Sequence, residues 1–190
     1  MKRLAVLGST RGTNLQPIYA AIQSRQLNAS LEIVISNKAD AFILSRAREL
    51  GLPTEFVNPT DLTREEYDKR VSALLKHHQI DLVVLIGYMR ILSDDFIRAW
   101  RQKIINVHPS LLPAFAGMMD LAVHDAVLKA QVPETGCTVH YVTEVVDGGP
   151  IILQKKCKVL ADDTPETLKA RVQVLEGEAL VSAIATLISS

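Results

Sequence analysis

Between residues 4 and 107 the chain alternates short apolar runs with stretches of helical periodicity, and few folds accept that order. The apolar runs are Leu4 to Leu7, Leu31 to Ile35, the short Glu55 to Val57, Leu82 to Ile86 and Ile104 to Val107. Helical spacing fills the gaps: Asn14 to Leu27, where Pro17 is tolerable in the first turn, Ala39 to Leu50 stopped by Gly51, Thr63 to about Gln79, and Ser93 to Arg101. Thr63 followed by Glu66 fits a capping box at a helix start. Strand and helix in alternation predict parallel strands joined by right-handed crossovers. The unbroken apolar character of Leu82 to Ile86 requires cover on both of its sides. The expected fold is therefore α/β, a doubly wound, mostly parallel sheet with helices on both faces.

From Thr135 the pattern changes. Thr138 to Val142 and Ile151 to Val159 alternate apolar with polar residues around a segment holding Asp147, Gly148, Gly149 and Pro150, which predicts an antiparallel C-terminal strand pair. A last helix is expected from Thr164, with Pro165 at its first position and Glu166 in its first turn, to about Leu187. No repeat or flexible linker divides the chain. We expect one domain over residues 1–190, with 1–110 carrying a phosphate-type loop and 111–190 supplying the Asp147 loop and the last helix.

Twenty-one basic residues balance twenty-one acidic ones, so no global charge draws this chain to nucleic acid or an anionic membrane, and any anion must be gripped locally. With 190 residues, a compact fold buries roughly 70% of the surface its unfolded chain exposes, which requires neither disulfide nor structural metal. No apolar run approaches the roughly 20 residues of a membrane span. The run after Lys2 and Arg3 stops at Gly8, too soon for a signal peptide, which points to the cytoplasm. Cys137 and Cys157 lack a CxxC spacing and read as buried free thiols.

Three segments can carry chemistry. The loop Gly8-Ser9-Thr10-Arg11-Gly12-Thr13-Asn14 joins a strand to a helix, so its N–H groups and the helix dipole suit a phosphate; the alternative is a tight turn that needs glycine. It is no GxGxxG fingerprint, and Ser36 and Asn37 follow the second strand where a dinucleotide fold places an acid. Asn106 and His108, two apart at a strand end, emerge on one side, where they can hold an oxygen that gains negative charge or simply satisfy loop backbone. Asp147 lies on a glycine-rich loop; it either bonds its own backbone or folds against His108 and favours the imidazolium. Gly87-Tyr88-Met89-Arg90-Ile91-Leu92 is either pocket wall or core with a surface charge. His77 and His78 read as a cationic helix end, while His124 in a helix and His140 in a strand are weaker candidates without zinc spacing.

Taken together and in order, Gly12-Thr13-Asn14-Leu15, Ser36-Asn37-Lys38-Ala39-Asp40-Ala41, Gly87 to Leu92, Asn106-Val107-His108-Pro109-Ser110-Leu111-Leu112-Pro113 and Asp147-Gly148-Gly149-Pro150-Ile151-Ile152-Leu153-Gln154 resemble the folate-dependent phosphoribosylglycinamide formyltransferases. The resemblance covers nearly the whole chain. It implies a formyltransferase-like fold and transfer of a formyl group from 10-formyltetrahydrofolate, a co-substrate, to the amine of 5-phosphoribosylglycinamide, without a metal. Asn106, His108 and Asp147 match the family's catalytic trio. Gly12, Thr13 and Asn14 match its phosphate loop and Glu176 its ribose contact. Arg64 with Met89, Arg90, Ile91 and Leu92, together with Asn106, match its folate pocket. Two stretches depart from the family pattern: Arg11 lengthens the first loop, and Ala114 to His124 is longer than usual and lacks an early histidine.

The same trio serves formyltetrahydrofolate hydrolases, whose relatives carry an added N-terminal domain, whereas here a strand is expected from residue 3. It also serves methionyl-tRNA formyltransferases, which hold tRNA with a further domain. A non-catalytic phosphate-binding module accounts for the first loop but gives the trio no purpose. No nucleic-acid or membrane partner is expected. The apolar helix faces could serve a homodimer.

Overall fold

The computed structural model describes residues 1–189. Its elements run β1 (Lys2–Gly8), α1 (Leu15–Gln23), β2 (Ala29–Ser36), α2 (Phe42–Glu49), β3 (Thr54–Phe56), α3 (Arg64–His77), β4 (Leu82–Ile86), α4 (Asp94–Ala99), β5 (Ile104–His108), α5 (Leu121–Lys129), β6 (Glu134–Tyr141), β7 (Ile151–Lys158) and α6 (Pro165–Ile188). One seven-stranded sheet has the order β3-β2-β1-β4-β5-β6-β7. The first five strands are parallel. β6 pairs antiparallel with β5 and β7 antiparallel with β6, so the expected C-terminal pair extends the main sheet.

Alternation along β1 shows why the central runs are apolar throughout. Leu4 and Val6 enter a core under α1, α2, α5 and α6, while Ala5 and Leu7 enter a second core under α3 and α4. A strand with helices on both faces has no side left for water. The strand order reverses direction between β1 and β4, and that is where open α/β sheets leave a crevice at their carboxyl ends.

Element ends depart from the periodicity at two helices. α1 stops at Gln23 and not near Leu27, because Arg25 turns left-handed (φ 62°); Leu27 keeps its place in the core pattern by folding back, its N–H bonded to the Ala21 carbonyl. α2 starts at Phe42 and not at Ala39, since Lys38 to Ala41 form a turn and the Ile43 N–H donates to the Thr10 carbonyl of the first loop. The capping box at Thr63 is present in both directions: the Glu66 N–H donates to Thr63 Oγ1 at 3.2 Å and the Thr63 N–H to Glu66 Oε2 at 2.8 Å.

Both cysteines are free, but only Cys137 is buried. Cys157 is half-buried because β7 is an edge strand with one side open, which corrects the expectation of two buried thiols. Among the described residues no helix is long and apolar enough to cross a membrane.

Candidate active site

A cavity of about 440 Å³ opens above the carboxyl ends of β1, β4 and β5. Its lining includes the first loop, the segment after β4, the end of β5, the Asp147 loop and one face of α6.

The first loop is held from below. Gly12 has φ +64°, and a Cβ there would stand 2.3 Å from Ile43 Cγ1, so only glycine lets the loop lie this close to α2. Asn14 occupies the N-cap of α1 without capping it, because its side chain is engaged elsewhere: Nδ2 donates to Glu176 Oε2 at 2.7 Å. That contact depends on α6 approaching α1 at Gly177, where a Cβ would meet Pro17 Cγ at 2.7 Å. The first turn of α1 thus has no side-chain cap from Asn14; its Leu15 N–H is taken by the Gly12 carbonyl at 3.0 Å and Pro17 carries none.

Burial pushes the Glu176 carboxyl up to about 7, against the lowering effect of the Asn14 bond and the Lys169 charge. The folded chain therefore keeps a proton between pH 4.5 and 7 that the unfolded chain loses, so this group's cost to stability grows across that window and is complete above it. Glu176→Gln should stabilise the fold by about 1–3 kcal/mol at pH 8 and leave it near the parent below pH 4.5, as read by urea unfolding at both values.

At the end of β5, Asn106 and His108 do point to one side, and the Asp147 loop closes over them. His108 Nδ1 is 3.3 Å from Asp147 Oδ2, and His108 Nε2 is 3.1 Å from the Phe115 carbonyl oxygen. The two ring nitrogens face acceptors on both sides, an arrangement that a doubly protonated ring satisfies. Asp147, itself left-handed at φ 53°, also accepts from the Gly117 N–H at 2.8 Å through Oδ2. The unusual segment 114–120 therefore lies against the trio, with Phe115, Gly117 and Asp120 all at positive φ.

His140 belongs to this cluster. β5 and β6 pair with Asn106 opposite His140, and Asn106 Nδ2 lies 3.2 Å from His140 Nε2. An amide nitrogen only donates, so Nε2 accepts, the ring proton sits on Nδ1, and Nδ1 donates to the Tyr141 carbonyl at 2.9 Å. Burial keeps this histidine below its usual range, in agreement with a neutral ring. Its bond orients the Asn106 amide, leaving a second N–H of the same nitrogen free for a ligand.

The sequence-derived site residues divide as follows. Gly12, Thr13, Asn14, Glu176, Met89, Arg90, Ile91, Leu92, Asn106, His108 and Asp147 all line the cavity. Arg64 does not. It opens α3 and lines a separate surface depression with Glu65, Ser93, Asp94 and Asp95, where its charge acts on the buried Asp68. Arg90, in the wall itself, holds its guanidinium carbon 4.1 Å over the Tyr67 ring, and its charge acts on buried Asp68, whose Oδ2 accepts from the Ser93 N–H at 2.6 Å. It anchors the extended segment from which Met89 and Ile91, 48% and 60% exposed, face outward.

Sequence reasoning ranked His124 and His140 as weaker candidates and missed Lys169 and Gln173; all four line the cavity. The Gln173 amide donates to Thr13 Oγ1. The signal for Gln173 was present, since positions 169, 173 and 176 share one helix face, but nothing local says which loop that face meets. Among the described residues no group of three or more His, Cys, Asp and Glu side chains is placed to hold a metal ion.

The switch-point cavity of this open α/β sheet gathers an amide, an imidazole and a carboxylate as an enzyme site does, and the formyl transferase family matches this chain over residues 2–184. Phosphoribosylglycinamide formyltransferase of Haemophilus influenzae is 42% identical over 177 residues, covering 93% of this chain and 82% of that protein. The trifunctional purine biosynthetic protein adenosine-3 of Homo sapiens is 42% identical over 183 residues, but the chain spans only 18% of its length. The crystal structure of glycinamide ribonucleotide transformylase 1 from Symbiobacterium toebii superposes with a TM-score of 0.92 at 39% identity, covering 97% of this chain and 86% of that one. The chain belongs to the formyl transferase family, in the branch of the phosphoribosylglycinamide formyltransferases.

Proposed function

We propose that this chain transfers a formyl group from 10-formyltetrahydrofolate to the amine of 5-phosphoribosylglycinamide, a step of purine biosynthesis, with residues 1–110 and 111–190 acting as one catalytic unit. The observation that carries this reading is the convergence of Asn106, His108 and Asp147 on a cavity that also holds the anion-ready loop at Gly12 to Asn14 and an apolar wall at Met89 and Ile91.

In this reading the substrate phosphate takes the N–H groups of the first loop, Glu176 accepts from the ribose hydroxyls, and the folate lies along the 89–92 wall. Arg64 has no place in that pocket. The neutral amine attacks the formyl carbon, and a C–N bond forms as the carbonyl pair moves onto oxygen. The free N–H of Asn106 and His108 Nε2 then hold the oxyanion. For this the formyl oxygen takes the position that the Phe115 carbonyl occupies at His108. Asp147 keeps His108 cationic and, through water, moves a proton from the attacking nitrogen to the folate nitrogen as the old C–N bond breaks. No metal, nucleic acid or membrane enters the scheme. The expected setting is cytoplasmic, and the apolar helix faces leave room for a homodimer.

Competing acceptors test the assignment. Purified chain is given 10-formyltetrahydrofolate with phosphoribosylglycinamide, with water alone, and with charged initiator tRNA. Formylated glycinamide should accumulate in step with tetrahydrofolate in the first reaction only. Folate deformylation at the same rate without the glycinamide would make the protein a hydrolase.

A further inference from the structure

A phosphate monoester brings a charge near −2 at neutral pH, whereas a helix N-terminus offers the equivalent of roughly half a positive charge. The cavity wall contains three cations, Arg11, Arg90 and Lys169. Arg90 is stacked on the Tyr67 ring, and Arg11 is exposed at the tip of the first loop. Lys169 stands on the rigid helix α6, one turn before Gln173, whose amide reaches Thr13 of that loop. Its charge acts on both Glu176 and His124, which places the ammonium at the acceptor end of the cavity.

The Lys169 ammonium is paired with Asp120, which follows the long segment after Pro113. The Asp120 side chain is 69% exposed, and an exposed carboxylate is a weak competitor for an ammonium. A phosphate dianion on the first loop is the stronger partner. We propose that Lys169 is a phosphate-binding residue of the acceptor site, occupied by Asp120 until the substrate phosphate displaces it. This rests on the reading that the first loop receives phosphate.

Steady-state kinetics on the full chain separates the possibilities, with phosphoribosylglycinamide and its dephosphorylated riboside as alternative acceptors. Lys169→Gln should raise the KM for the phosphorylated acceptor about tenfold, the loss of one charge-assisted contact, with kcat within about twofold. With the riboside that difference should vanish, and Lys169→Arg should restore most of it. Inhibition by inorganic phosphate should weaken in Lys169→Gln by a similar factor. Asp120→Asn removes the competitor, so it should lower the KM for the phosphorylated acceptor and do nothing when Lys169 is already Gln.

A pair that merely ties down the 114–120 segment gives the opposite pattern: both single variants lower kcat alike, with both acceptors. That result, or an unchanged KM in Lys169→Gln beside an active parent, overturns the assignment of Lys169 alone. A parent that forms no formylated glycinamide overturns the functional reading, and this proposal with it.

Discussion

Asp147→Asn should fold as the parent does and form formylated glycinamide roughly two to four orders of magnitude more slowly, the range expected when a general acid–base group is removed. The substitution is isosteric, and the remaining amide oxygen can still accept from the Gly117 N–H that Asp147 Oδ2 holds at 2.8 Å. His108 Nδ1 lies 3.3 Å from that same Oδ2 and still meets an acceptor, but a neutral amide no longer balances an imidazolium, and the amide nitrogen takes the Oδ1 position 3.6 Å from the accepting Nε2 of His140. Charge at the oxyanion site and the proton relay are lost together, while packing is not. Thermal melting should therefore match the parent. Turnover equal to the parent's would remove Asp147 from the chemistry.

The second large effect is expected at Asn106. Asn106→Ala withdraws one donor from the position where negative charge develops, a loss of about 3–4 kcal/mol of barrier or roughly 10²–10³-fold in kcat. Asn106→Asp should be worse, because it sets a carboxylate against the oxyanion and against the accepting Nε2 of His140, 3.2 Å from the present amide nitrogen. Both losses belong in kcat, with the KM values for acceptor and folate changing much less, since the ground-state carbonyl takes little charge. A kcat within threefold of the parent in Asn106→Ala would show that this amide does not face the reacting carbonyl.

Much of the architecture was legible in the chain itself. Runs such as Leu82 to Ile86 announce strands covered on both faces, because only such strands can afford no polar residue. Thr63 with Glu66 marks the start of α3 by local hydrogen bonding alone. Helix ends were less legible where periodicity outlasts the helix: Leu27 continues the apolar pattern of α1 although Arg25 has already turned the chain. The two-residue spacing of Asn106 and His108 was readable for the same reason as the strands. The place of Arg64 was not, since a long cationic side chain settles according to its tertiary surroundings, and the surface depression it lines is completed by Ser93, Asp94 and Asp95 from beyond α3.

What the amino-acid order determined without help is the set of strands and helices, their alternation, and the identity of the polar groups at the ends of the central strands, because period, capping and turn chemistry act over a few residues. The tertiary structure decided which of those groups meet. The antiparallel register that sets His140 beside Asn106, the loop that carries Asp147 to His108, and the packing of α6 on α1 that joins Glu176 to Asn14 and Gln173 to Thr13 all depend on surfaces distant in sequence. Such contacts are selected by the burial and hydrogen bonding of the whole sheet and its helices, a quantity that no local stretch contains.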